Sequence, residues 1–166
     1  MNPEKNPTTG AILDVFGPTV EYLVSPSDES SDFCVMKGII PPGVFVPMHR
    51  HPDTEDFFIL SGTAECLKIT ENGHEWVPSK EGDLIHIPSN ATHAWRNTSS
   101  GNVTFLITTT KKMGHFFEET ALPWKGVPQM PTPEALAHLL EVSERYGYWN
   151  ASPEENAAVG INMSFS

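Results

Sequence analysis

Between residues 12 and 114 the sequence runs as short strand-like stretches closed by turn residues. Stretches at 12–16, 19–24, 33–40, 45–51 and 57–60 are followed by others at 64–70, 74–78, 84–87, 91–97 and 103–109. Pro41-Pro42-Gly43, Glu81-Gly82-Asp83 and Ser99-Ser100-Gly101 punctuate them, and Asn72-Gly73 is a two-residue hairpin signal. Many short antiparallel strands at this spacing predict an all-β fold, a sandwich or a double-sheet jelly roll.

One stretch also carries chemistry. Between Gly43 and Gly62 the chain reads GVFVPMHRHPDTEDFFILSG, with His49, His51 and Glu55 inside the frame. Pro47 and Pro52 exclude a helix interior there. On a strand, His49 and His51 at i and i+2 point the same way. Pro52-Asp53-Thr54 reads as a tight turn that brings Glu55, at the start of the next strand, opposite the histidines. A second frame, GDLIHIPSNATHAWRN from Gly82 to Asn97, adds His93. Three imidazoles and a carboxylate in a strand-rich setting point to a divalent first-row transition metal: Fe, Ni, Mn, Co or Zn. Four protein ligands leave up to two positions on an octahedral ion for water, substrate or dioxygen.

Strand parity places Phe45 and Pro47 with His49, Phe57 and Ile59 with Glu55, and Trp95 and Asn97 with His93. These six residues are the expected substrate pocket, mostly apolar and suited to a small organic ligand. His86 is a weaker candidate for a supporting role in the pocket, with a place between the sheet and the tail favoured, and His115 is a remote candidate at the barrel mouth; His74 and His138 are not assigned to the site. No Gly-x-Ser-x-Gly elbow or glycine-rich phosphate loop is present.

The remaining sequence bounds the setting. At 166 residues the chain reads as one domain. A formal net charge of −11, with Lys111-Lys112 as the main basic pair, argues against nucleic acid and anionic membranes as partners. The first 31 residues hold no apolar run of signal-peptide or membrane-span length, so a cytoplasmic location is expected. Cys34 and Cys66 are expected as buried, reduced thiols. Residues 1–10 read as an arm, mobile or lent to a neighbour as a strand, on a barrel spanning 1–114. Residues 115–166 read as a helical extension of the same domain, a brace in preference to a lid. Within it Thr132 is the expected N-cap, Pro133 the first helical residue and Gly147 the stop; Leu136, Leu139, Leu140 and Val142 form an apolar stripe.

The two frames resemble the two signature motifs of the cupin superfamily. Residues 43–62 match the first at its defining positions, and Gly82, Pro88, His93 and Asn97 match the second. One position departs: Asn90 stands where the family usually has glycine, and asparagine tolerates a left-handed backbone. The resemblance implies a double-stranded β-helix (jelly-roll) barrel, with His49, His51, Glu55 and His93 as ligands. The flanks FGPTVEYLVSPSDESSDFCVMKGIIPPG and GHFFEETALPW look like those of single-domain cupins related to quercetin 2,3-dioxygenase. That likeness implies an oxidoreductase, a dioxygenase acting on an enolic or phenolic, flavonol-like compound, with Glu55 as ligand and proton acceptor. The same four ligands would also suit a metal-dependent isomerase, cyclase or lyase. A non-catalytic small-molecule-binding cupin is the reading from a different class. Cupins often pair barrels, and exposed edge strands favour a homodimer.

Overall fold

The computed structural model describes residues 11–163, so the expected arm at 1–10 lies outside the described residues. β1 (Ile12–Asp14), β2 (Thr19–Val24) and β3 (Phe33–Ile40) come first. β4 (Phe45–Arg50) and β5 (Glu55–Ser61) follow, then β6 (Thr63–Thr70) and β7 (Gly73–Lys80). β8 (Leu84–Ile87), β9 (His93–Arg96) and β10 (Val103–Thr110) complete the barrel. The extension contains α1 (Lys111–Thr120), β11 (Leu122–Pro123), α2 (Pro133–Tyr146), β12 (Trp149–Asn150) and α3 (Pro153–Ala158).

The strands form two antiparallel sheets, ordered β11-β1-β2-β3-β10-β5-β8 and β12-β4-β9-β6-β7. Alternation along each strand sends one set of side chains between the sheets. Met36, Ile59, Trp95, Val103 and Phe105 form the centre of that core, each at most 2% exposed. The opposite face of the five-stranded sheet is also covered. Leu67 and Ala94, adjacent in sequence to the core residues Cys66 and Trp95, pack with Met48, Val159 and Ile161. Burying Val159 and Ile161 contributes about 3–6 kcal/mol, which makes the extension a brace for the barrel. A third cluster, around Met113, Phe116 and Val142, joins α1 to α2. No helix among the described residues is long and apolar enough to cross a membrane.

Several boundaries differ from the sequence expectation, two of them for a local physical reason. The β6–β7 turn is Glu71-Asn72, one residue earlier than expected, because Gly73 at φ +133° already pairs with Thr70. The first helix starts at Lys111, before Gly114, because the Thr110 hydroxyl caps it by accepting from the Met113 N–H. Gly114 sits inside that helix because a Cβ there would lie 2.7 Å from Pro26 and 2.9 Å from the Cys34 sulfur. In α2 the Thr132, Pro133 and Gly147 signals all hold. Leu140, however, is 56% exposed, and the helix buries Val142 instead. Cys34 and Cys66 are free and buried. Burial pushes both thiols up to about 12.

The two glycines that bound the first frame do different work. Both adopt left-handed backbone, φ +74° at Gly43 and φ +82° at Gly62. A Cβ on Gly43 would meet nothing within 4 Å, whereas one on Gly62 would lie 2.3 Å from the Asn102 carbonyl oxygen. Gly43→Ala is therefore expected to cost only the left-handed penalty, about 1–2 kcal/mol. Gly62→Ala should cost more than about 3 kcal/mol because backbone must also move. Urea unfolding midpoints of the two variants check the order; equal losses would contradict it.

Candidate metal centre

The barrel brings four distant side chains to one point. His49 on β4 pairs directly with His93 at the start of β9, both on the five-stranded sheet. His51 follows β4, and Glu55 opens β5 on the seven-stranded sheet. The motifs are also tied through backbone, since the Asn90 N–H donates to the His51 carbonyl at 2.7 Å. Asn90 takes φ +61°, the left-handed turn expected where glycine is usual.

Candidate ligand nitrogens of His49, His51 and His93 lie within 4.8 Å of one another. Their ring centroids are 4.2 Å (His49–His93), 5.1 Å (His51–His93) and 5.5 Å (His49–His51) apart. Each ring is held from behind by a nearby carbonyl. Nδ1 of His49 lies 2.7 Å from the Pro47 oxygen, that of His51 2.8 Å from the Asp53 oxygen, and that of His93 2.9 Å from the Ala91 oxygen. A carbonyl only accepts, so each Nδ1 carries the proton and each Nε2 is left with its lone pair facing the cluster. This arrangement fixes the tautomer and orientation of metal-ligating imidazoles. Glu55 Oε2 stands 3.3 Å from His51 Nε2 and 3.5 Å from His93 Nε2.

Two observations show that this donor set fits a cation. His51 Nε2 and His93 Nε2 are buried with no hydrogen-bond partner among the described residues, a costly state for polar atoms. The electrostatics also call for positive charge at the centre. Burial would raise the Glu55 carboxyl, but His51 and His93 outweigh it and hold the group well below the usual carboxylate range. Burial likewise works to lower His51, yet the Glu55 carboxylate outweighs it and leaves His51 above the ordinary histidine value. The site thus keeps a buried anion and draws a proton to it. His49 retains some exposed surface, but its imidazole is crowded by the other two rings. Burial first, then the His93 and His51 charges, push it down to about 3. It is a free ligand at neutral pH.

The residues expected to line the pocket divide into two groups. Phe57, Ile59 and Trp95 are in the barrel core, with the Phe57 and Trp95 rings 5.0 Å apart. They are packed core residues, two or four residues along from Glu55 and His93. Phe45 belongs instead to the cluster beneath the C-terminal extension. The β4–β9 register shifts between Val46 and His49, so alternation counted back from His49 fails there. Pro47 lies in that irregular stretch and contributes its carbonyl to His49. Asn97 is a turn staple: its amide donates to the Ile40 and Gly101 carbonyls, and its oxygen accepts from the Ser99 N–H. His86 and His115 pair with Asp56 and Glu118, half-exposed and away from the centre. His138 bonds the Glu119 carbonyl, and His74 is exposed. One site residue had no sequence signal: Tyr148, whose ring lies 5.4 Å from that of His51.

Residues 36–109 match the family model of the Cupin domain. The barrel is a cupin domain. A 57-residue stretch is 40% identical to the dimethylsulfoniopropionate lyase DddQ of Ruegeria pomeroyi, covering 34% of this chain and 27% of that protein. The chain therefore spans about a quarter of that relative's length. Among solved structures, the polyketide cyclase RemF from Streptomyces resistomycificus superposes with a TM-score of 0.55 at 17% identity, over 67% of this chain and 80% of RemF. The plu4264 protein from Photorhabdus luminescens gives a TM-score of 0.54 at 22% identity, over 69% and 92% of the two chains. At these identities the structural likeness is one of fold.

The cupin's histidines make a pH prediction for the metal-free protein. His49 titrates near 3 when folded and near 6.5 when unfolded, so the unfolded chain binds more protons between those values. Its contribution to stability is therefore lost as pH falls from about 6.5 toward 3. Glu55, lowered from 4.5, adds loss in the same direction below that value. His51, raised above 6.5, works the opposite way and contributes stability below 6.5. Unfolding midpoints across this range should fall less steeply in His49→Asn than in the parent; an unchanged slope would contradict the assignment.

Proposed function

We propose that the protein is a metal-dependent cupin enzyme whose reaction is dioxygenation of a small enolic or phenolic, flavonol-like compound. The observation that carries the metal-dependent part is the Glu55 carboxylate, buried against two imidazole Nε2 atoms that have no hydrogen-bond partner among the described residues. Burying an anion is costly, and a site that only wrapped an apolar ligand would gain nothing from it. A divalent ion held by His49, His51, His93 and Glu55 would supply a Lewis-acidic, redox-capable centre for a substrate oxygen. The chain's own part is to hold the imidazoles aimed, to exclude water with the apolar residues Phe57, Ile59 and Trp95, and to receive a proton. Glu55 is held ionised by the histidines, and on letting go of its partners it can accept the proton that an enolic hydroxyl gives up. Dioxygenase chemistry is supported by the likeness of the flanking segments to quercetin 2,3-dioxygenase-like cupins.

A second reading is favoured by the 57-residue match to a dimethylsulfoniopropionate lyase. The same ligands would then serve an elimination without dioxygen, with Glu55 again taking the proton. Both readings describe a cytoplasmic homodimer. Phe58 and Leu84, cross-strand partners on the outer face of the seven-stranded sheet, are 38% and 61% exposed and suit the dimer contact.

Metal analysis of protein purified without added metal, followed by aerobic and anaerobic substrate screening, tests the proposal. We expect about one bound transition-metal ion per chain and oxygen uptake with a flavonol panel. Glu55→Gln should slow turnover by about 10²–10⁴-fold. Turnover of dimethylsulfoniopropionate without oxygen would favour the lyase reading. Metal-free protein, with no turnover after metal addition, would overturn both.

A further inference from the structure

The geometry points to Tyr148, delivered by the C-terminal extension, as the positioning residue for the His51 ligand; the inference rests on the metal-centre reading above. Asp53 is the connecting part. It lies in the loop between His51 and Glu55 and is only 5% exposed. Its backbone carbonyl accepts the Nδ1–H of His51 at 2.8 Å. Its carboxylate accepts two hydroxyls from outside the loop, one from Tyr148 at 2.6 Å and a short bond from Thr110. The carbonyl that aims His51 is therefore held by the end of β10 on one side and by the extension on the other.

Tyr148 is itself placed with little freedom. The residues after it pair with the histidine strand, Trp149 against Arg50 and Asn150 against His49. The Ala151 N–H then donates to the Met48 carbonyl at 2.9 Å. The Tyr148 ring is wedged between His51, at 5.4 Å, and Phe116, at 4.8 Å. The extension thus does two things at once: strand pairing fixes β4, and the phenol fixes the loop that follows it. Losing the phenol hydroxyl frees one side of the Asp53 carboxylate, and the loop can then rotate the carbonyl away from His51 Nδ1. Outer partners of metal-ligating histidines set affinity by about 10–100-fold.

Co(II) titration of the full-length protein, read by its visible absorption, tests this. Tyr148→Phe keeps the ring and removes only the hydroxyl. It should bind Co(II) about 10–100-fold more weakly than the parent, with a shifted absorption band that reports altered ligand geometry. Tyr146→Phe is the control, because its hydroxyl bonds Glu119, away from the ligands. It should lower the thermal midpoint without changing affinity or spectrum. Asp53→Asn retains the backbone carbonyl and gives an independent route should Tyr148→Phe fold poorly. It should weaken Co(II) binding similarly, and the double variant should be no weaker than the worse single one. Parent-like affinity and spectrum in Tyr148→Phe, or in Asp53→Asn where the first variant does not fold, overturns the role of Tyr148 and leaves the metal centre standing. A parent that binds no Co(II) overturns both.

Discussion

Three short hydrogen bonds from imidazole to backbone carry the rest of the site. In each, a histidine Nδ1–H meets a carbonyl two residues away: Pro47 for His49, Asp53 for His51 and Ala91 for His93. Because each clamp is local, the tautomer of every ring is set as soon as its strand or turn forms. What the tertiary structure adds is convergence. Pairing of His49 with His93 brings two clamped rings together, and the β4–β5 turn brings a third with Glu55. Without the clamps a buried histidine cluster would be three flexible polar groups in an apolar barrel, a costly arrangement. With them, all the basic nitrogens face one point beside a carboxylate.

Much of this was legible in the sequence because it depends on short periods. Glycine and proline punctuation marked β2, β3 and β8 to the residue. The His-x-His and Glu spacing, with His93 forty-two residues after His51, identified the residues that the barrel gathers. Asn90 in a glycine position was readable because asparagine is among the few residues that take φ +61° at low cost. The failures share a cause. Alternation puts Phe45 on the His49 face, and a register shift between Val46 and His49 cancels alternation without leaving a mark in the sequence. Asn97 looked like a lining residue by parity, yet its amide closes the β9–β10 turn. Tyr148 lies ninety-five residues from Asp53, and no local period reports a contact of that range.

The extension is a structural part of the barrel. α1 and α2 pack on each other through Phe116 and Val142, while Val159 and Ile161 cover the outer face of the five-stranded sheet. β12 then lengthens that sheet at the edge where His49 sits, so the histidine strand has pairing partners on both sides. An edge strand would fray and move its ligands; an internal strand does not. The same segment places an aromatic ring against His51. Rigidity at the ligands and cover over them therefore come from one stretch of chain. This is how the barrel supports a preformed donor set.

X-ray absorption on the metal-loaded protein reads the ligands themselves. A first shell containing three imidazoles, with their outer-ring scattering, and oxygen from Glu55 at about 2.0–2.2 Å is expected. A shell of oxygen atoms without imidazole scattering, or one containing sulfur from Cys34 or Cys66, would contradict that ligand set.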